Sequence, residues 1–139
     1  MAERVADEAG TALVAAAFAA TLRPGDVVHL EGELGAGKTT FVRHVAAALG
    51  VVEPVTSPTF SVAHRYRGHD GLPVAHLDLY RSRGVTPEEL ADLDAYLTED
   101  AVVFVEWPEA GAGMLPPPTV RIVIEDGGDG RRTIAIHRA

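Results

Sequence analysis

The chain has 139 residues, with 20 Asp+Glu against 12 Lys+Arg for a formal net charge of −8, and no cysteine. That length predicts a single domain over residues 1–139, large enough to bury a core. The missing cysteines exclude a disulfide framework and a thiolate metal site, and fit a reducing, cytoplasmic setting. No apolar run approaches the roughly 20 residues of a membrane span, and the acidic balance makes a poor stand-alone binder of RNA or DNA, since most of that affinity comes from neutralised phosphates.

In chain order, residues 11–20 are alanine-rich and follow Asp7 and Glu8 rather than a basic segment, which predicts an amphipathic surface helix instead of a signal sequence. Pro24-Gly25-Asp26 leads into Val27-Val28-His29-Leu30, read as a buried parallel strand. Gly32-Glu33-Leu34-Gly35-Ala36-Gly37-Lys38-Thr39 follows and fits G-x-x-x-x-G-K-[ST] at every fixed position. Lys38 is the only lysine; the other eleven basic residues are arginines. A slim ammonium can reach β- and γ-phosphates from beneath such a loop, whereas a planar guanidinium is too wide. Phe41, Val42, Val45, Ala46, Ala48 and Leu49 then recur at helical spacing, with Gly50 as the cap. Strand, glycine loop and helix is the order in which loop N–H groups and a helix N-terminus converge on phosphates. Leu34, Gly35, Ala36 and Gly37 would line that cradle, Thr39 would offer its hydroxyl to Mg²⁺, and Thr40 would touch an α-phosphate oxygen.

Pro58 breaks the chain at Val55-Thr56-Ser57-Pro58-Thr59-Phe60, so a loop is expected there. Two extended segments, 60–67 and 72–80, flank His69-Asp70-Gly71 and predict an antiparallel hairpin. Thr86 as N-cap and Pro87 at the first turn open a helix expected to run through Leu97. Ala101-Val102-Val103-Phe104-Val105 has the continuous apolar character of a strand buried on both faces. Pro116-Pro117-Pro118 is a stiff connector, and segments 120–125 and 131–137 form a second hairpin around Gly127-Gly128-Asp129-Gly130. The predicted fold is a small α/β P-loop NTPase-type mixed sheet flanked by helices, with antiparallel hairpins.

Hydrolysis also needs a carboxylate near the metal, usually at the end of a neighbouring buried strand. Glu106 ends the run 102–105, and Asp78 ends Val74-Ala75-His76-Leu77, so one can hold Mg²⁺ while the other orients the attacking water. Trp107, the only tryptophan, follows Glu106; packing under a loop and lining the site both fit it. Thr59 lies where such hydrolases often sense nucleotide. Arg65, Arg67, Arg81 and Arg83 gather around the first hairpin, as solvated residues or partner contacts. The six histidines show no ligand spacing and none is assigned a metal.

Glu31-Gly32-Glu33-Leu34-Gly35-Ala36-Gly37-Lys38-Thr39-Thr40-Phe41, Ser57-Pro58-Thr59-Phe60, His76-Leu77-Asp78-Leu79-Tyr80-Arg81 and Val105-Glu106-Trp107-Pro108-Glu109 together resemble the bacterial TsaE family, in its order and spacing and over nearly the whole chain. The loop is generic; the Asp-Leu-Tyr-Arg and Glu-Trp-Pro-Glu blocks are specific. The resemblance implies a small ATPase with ATP and Mg²⁺ as its ligands. It would be required for threonylcarbamoyladenosine at position 37 of tRNAs reading codons that begin with A. It would act with a TsaB and TsaD heterodimer, meeting tRNA only indirectly through that complex. Carried over by motif, Thr39 and Glu106 hold Mg²⁺, Asp78 supports hydrolysis and Trp107 lines the site. Glu8 and Arg131 align with nucleotide contacts of the family. Leu77 stands where an aromatic is frequent and Glu33 where Asp is frequent. A GTPase would need Asn-Lys-x-Asp, for which no lysine remains. A small-molecule kinase fits the size but would need an acceptor pocket and an arginine-bearing lid, for which only Arg81 and Arg83 offer themselves. A nucleotide-gated interaction module overlaps the family reading.

Overall fold

A computed structural model describes the chain apart from residues 1, 6, 34, 56–62, 80–86, 112–114 and 129; the side chains of 2–4, 87, 89, 90, 110 and 111 are likewise outside the description. Its elements are β1 (Ala2–Val5), α1 (Glu8–Ala19), β2 (Val27–Glu31), α2 (Lys38–Ala48), β3 (Ala63–Arg67), β4 (Pro73–Asp78), α3 (Pro87–Leu93), β5 (Val102–Glu106), β6 (Val120–Asp126) and β7 (Arg132–Arg138).

The strands form one seven-stranded sheet in the order β1-β7-β6-β2-β5-β4-β3. Its centre is parallel: β2 runs alongside both β5 and β6, and β4 alongside β5. Antiparallel pairs close both sides, β3 on β4 and the β6–β7 hairpin extended by β1. The mixed α/β sheet with two hairpins is therefore the one expected. β1 was not foreseen, being four residues long with charged Glu3 and Arg4 inside it; its pairing with β7 makes it a strand.

Strand alternation divides the core in two. Val28 and Leu30 of β2, Phe104 of β5 and Ile122 of β6 face α1 and α2, which supply Phe18, Phe41, Val42 and Val45. Ala75, Leu77, Val103 and Val105 face the other way and meet Leu93 of α3. All five residues of β5 are buried, which explains its unbroken apolar run up to Glu106. β2 is more lopsided than a fully buried strand: Val27, His29 and Glu31 remain half-buried, with Glu31 paired to Arg121 across the sheet at 2.7 Å.

The helix ends follow local chemistry. Asp7 caps α1 by accepting the Gly10 N–H at 2.8 Å. After α2, Gly50 takes a φ of +95°, its N–H reaches the Ala47 carbonyl, and the Val51 N–H returns to the Ala46 carbonyl. These two bonds form the glycine-dependent terminus that the sequence suggests. α3 is shorter than expected. It stops at Leu93, and separate turns carry the chain onward through hydrogen bonds from Tyr96 to Leu93 and from Leu97 to Asp94. Its expected cap, Thr86, lies outside the described residues, as does the Pro58 break.

Phe104 is fully buried at the centre of β5, among residues from both flanking strands and α2. Phe104→Ala is expected to cost about 3–5 kcal/mol through lost transfer energy and the cavity left behind. Denaturant titration by circular dichroism checks this, and a loss below about 1 kcal/mol would place the site outside a packed core.

Candidate functional site

The parallel strands β2, β4 and β5 finish on the same edge, where ligands of open α/β sheets bind. β2 ends at Glu31 and gives way to the glycine loop, which turns directly into α2. Gly37 is the N-cap of α2 with φ +105°, a backbone region that disfavours side chains, and no side chain caps the helix. The first-turn N–H groups of a helix have no intrahelical partner, so this terminus presents donors and the positive end of the helix dipole to the loop. Ala36 is buried and bonded to the Glu33 carbonyl at 3.0 Å, while Gly35 stands exposed at the crest. Leu34 lies outside the described residues.

Lys38 begins α2 with only 5% of its surface exposed. Its ammonium curls back under the loop to donate to the Gly32 carbonyl, with the Glu33 carbonyl at 3.4 Å. The indole of Trp107 covers the same ammonium, 3.7 Å from ring centroid to Nζ, a cation–π contact. Burial pushes the Lys38 pKa down; the carboxylates of Glu106, Glu109, Asp78 and Glu33 oppose that shift. Those carboxylates therefore help keep a buried cation charged, which a phosphate-binding lysine requires.

Glu106 is 3% exposed at the end of β5. The Thr39 hydroxyl lies 2.8 Å from its Oε2 and 3.1 Å from its Oε1, so helix and strand meet through this contact. His76 Nε2 approaches Oε2 at 2.6 Å. Asp78 sits opposite Glu106 in the β4–β5 register, and the Leu79 N–H bonds the Glu106 carbonyl at 3.1 Å, tying the two strand ends together. Immediately after Glu106, Trp107 adopts φ +58°. A left-handed backbone is an outlier for a bulky residue and costs roughly 1–3 kcal/mol. Here it swings the chain from β5 into the turn at Pro108–Gly111 with the indole over Lys38.

A cleft of about 220 Å³ opens beside Thr40, lined by Asp7, Glu8, Gly37, Thr40, Gly130 and Arg132 among others. Glu8 bonds His44 Nε2 there at 3.0 Å. Arg131 is exposed and does not line this cleft; Arg132 does, its Nε donating to the Ala36 carbonyl at 3.0 Å and its side chain lying against Gly37. In two adjacent arginines at a strand start, only pairing with β1 and β6 decides which side chain turns toward the loop.

The structure thus brings Lys38, Thr39, Glu106 and Trp107 into one constellation with Asp78 beside them, and places Glu8 and Thr40 around a neighbouring cleft. Thr59, Arg81 and Arg83 lie outside the described residues. Arg65 instead donates to the Ala95 carbonyl and stacks on Tyr96, and Arg67 bonds the Gly71 carbonyl at 3.1 Å. His76 and Arg132 are the residues that sequence reasoning passed over. The signal for His76 was available: it lies two positions before Asp78 on a strand, hence on the same face.

Among the described residues, no helix is long and apolar enough to cross a membrane, and no cluster of three or more His, Cys, Asp or Glu residues has metal-site geometry. Residues 5–134 match the family described as "Threonylcarbamoyl adenosine biosynthesis protein TsaE". A relative from Bacillus subtilis, named tRNA threonylcarbamoyladenosine biosynthesis protein TsaE, is 43% identical over 125 residues, covering 89% of this chain and 77% of its own length. A relative of the same name from Streptomyces coelicolor is 47% identical over 111 residues, covering 78% and 74%. The crystal structure of YdiB from Bacillus subtilis superposes with a TM-score of 0.81 at 37% identity, covering 99% of this chain and 84% of that one. With the glycine loop, the paired strand ends and this likeness over nearly its whole length, the chain belongs to the TsaE family.

Proposed function

We propose that the protein is a Mg²⁺-dependent ATPase serving threonylcarbamoyladenosine formation at position 37 of tRNAs that read codons beginning with A. It would act in the cytoplasm with TsaB and TsaD, and would meet tRNA only through that complex. The observation that carries the ATPase reading is the convergence of a buried lysine, an uncapped helix N-terminus and a buried carboxylate held by the Thr39 hydroxyl.

Each part has a physical task. Lys38 would exchange the Gly32 and Glu33 carbonyls for phosphate oxygens, gaining charge-assisted bonds in place of neutral ones. The α2 N-terminus would donate backbone N–H groups to the same phosphates. Thr39 and Glu106 supply hard oxygens a few ångströms apart, the donor chemistry that suits Mg²⁺. Bound there, Mg²⁺ would offset phosphate charge as it builds in the transition state. Asp78, in register with Glu106, would orient the attacking water. Trp107 covers the ammonium and keeps water from one side of it. The cleft lined by Glu8, Thr40 and Arg132 would take the base and ribose.

Slow hydrolysis by the isolated protein is the expectation supported by the cations among the described residues. Arg132 lies with Thr40 and Glu8, its Nε already engaged by Ala36, rather than beside Glu106. A partner that completes or reshapes the site would supply the missing stabilisation of transition-state charge. The acidic net charge of −8 supports a division in which TsaB and TsaD hold the tRNA.

Lys38→Ala is expected to weaken ATP binding by at least about tenfold, from a charged hydrogen bond worth roughly 1.5–3 kcal/mol. Nucleotide titration with circular dichroism as the folding control measures it; unchanged affinity would remove the phosphate-loop assignment. Glu106→Gln and Asp78→Asn preserve shape and remove charge, so they should retain ATP yet lose about a hundredfold in turnover, roughly 2.7 kcal/mol of barrier. A variant within about threefold of wild type would show that its carboxylate is structural. ATP turnover and threonylcarbamoyladenosine formation should both respond to adding TsaB and TsaD. If the pair neither bound the protein nor altered turnover, while the isolated protein phosphorylated a metabolite rapidly, a kinase would be the correct reading.

A further inference from the structure

His76 sits in the middle of β4 with none of its surface exposed, on the face shared with Val74 and Asp78. Its neighbours across the sheet are Phe104 on β5 and His64 on β3. An imidazole in such a position is costly unless its nitrogens are bonded. Only one is: Nε2 lies 2.6 Å from Glu106 Oε2, while Nδ1 is buried without a hydrogen-bond partner among the described residues. His64 does not serve it, being bonded through its own Nδ1 to the Tyr66 hydroxyl at 3.0 Å. Leucine or phenylalanine would fill the space without orphaning a ring nitrogen. What they could not do is donate to Glu106.

We propose that His76 is a positioning residue for the Glu106 carboxylate, holding it in the orientation that serves the metal. This rests on the metal role of Glu106 set out above. An ionised carboxylate only accepts, so at the short contact Nε2 is the donor. With Oε2 held by His76, rotation of the carboxylate is restrained, and both of its oxygens keep their places beside the Thr39 hydroxyl, Oε2 at 2.8 Å and Oε1 at 3.1 Å. Thr39 alone cannot fix that direction, because its hydroxyl lies near both oxygens. Hydrogen-bond partners of metal-binding carboxylates typically govern 10–100-fold in metal affinity or activity.

The test is a MgCl₂ titration of binding to a non-hydrolysable ATP analogue, read by the fluorescence of Trp107, the only tryptophan. It compares wild type, His76→Leu, His76→Gln, Glu106→Gln and the double variant His76→Leu/Glu106→Gln, each checked for folding by circular dichroism. His76→Leu should weaken the magnesium response by at least about tenfold, leave affinity in EDTA unchanged and lower kcat more than it raises KM. His76→Gln, whose amide N–H can reach the carboxylate, should restore most of the loss. In the Glu106→Gln background, His76→Leu should add nothing to the magnesium defect. A wild-type magnesium response in His76→Leu overturns the proposal, as does a Gln variant as defective as Leu, or a full additional loss in the double variant. If Glu106→Gln keeps the wild-type magnesium response, the metal role of Glu106 itself falls, and the proposal with it. Should His76→Leu not fold, ¹⁵N-histidine NMR of wild type decides. His76 protonated at Nε2, with that proton signal moving when MgCl₂ and the analogue are added, supports the proposal; protonation at Nδ1 alone overturns it.

Discussion

A buried carboxylate and a buried ammonium at the same sheet edge are the constraint on which the rest depends. Glu106 and Lys38 are 3% and 5% exposed, and neither charge survives such burial without compensation. The structure answers with donors for one and acceptors for the other. Glu106 receives the Thr39 hydroxyl and His76, while Lys38 reaches two loop carbonyls and an indole face. Every element that touches these groups is thereby locked to its neighbours: α2 to β5 through Thr39, β5 to β4 through His76, and the loop to the start of α2 through Lys38.

The sheet explains why those groups meet. Parallel pairing of β4, β5 and β2 brings the carboxyl ends of three strands to one edge, and the β4–β5 register sets Asp78 opposite Glu106. The apolar residues of β5 serve two cores at once, so the strand carrying Glu106 is held from both sides. Rigid support of this kind fixes the position of Glu106 at the sheet edge. The antiparallel hairpins leave the parallel centre undisturbed, and the β6–β7 hairpin brings Arg132 over the glycine loop.

Much of this was legible beforehand because it is local. The glycine spacing with a lysine, the strand before it and the helix after it all lie within a few residues of one another, as do Gly50 at the end of α2 and Asp70-Gly71 in the hairpin. Glu106 stood out because a charge ends an otherwise apolar run, and Asp78 for a similar reason. The length of α3 was misjudged by one turn, since Ala95, Tyr96 and Leu97 have helical propensity and only their packing ends the helix at Leu93.

By itself, the sequence determined the glycine loop between a strand and a helix and the two carboxylates at strand ends, since each is written in spacing over a few residues. Only the tertiary structure decided which strands lie side by side beyond the two hairpins, that Arg132 rather than Arg131 faces the loop cleft, and that a histidine bonds Glu106 from the next strand. Residues 76 and 106 are thirty positions apart. Their contact exists because β4 and β5 pair in parallel in one register, and a shift by one residue would turn His76 to the opposite face.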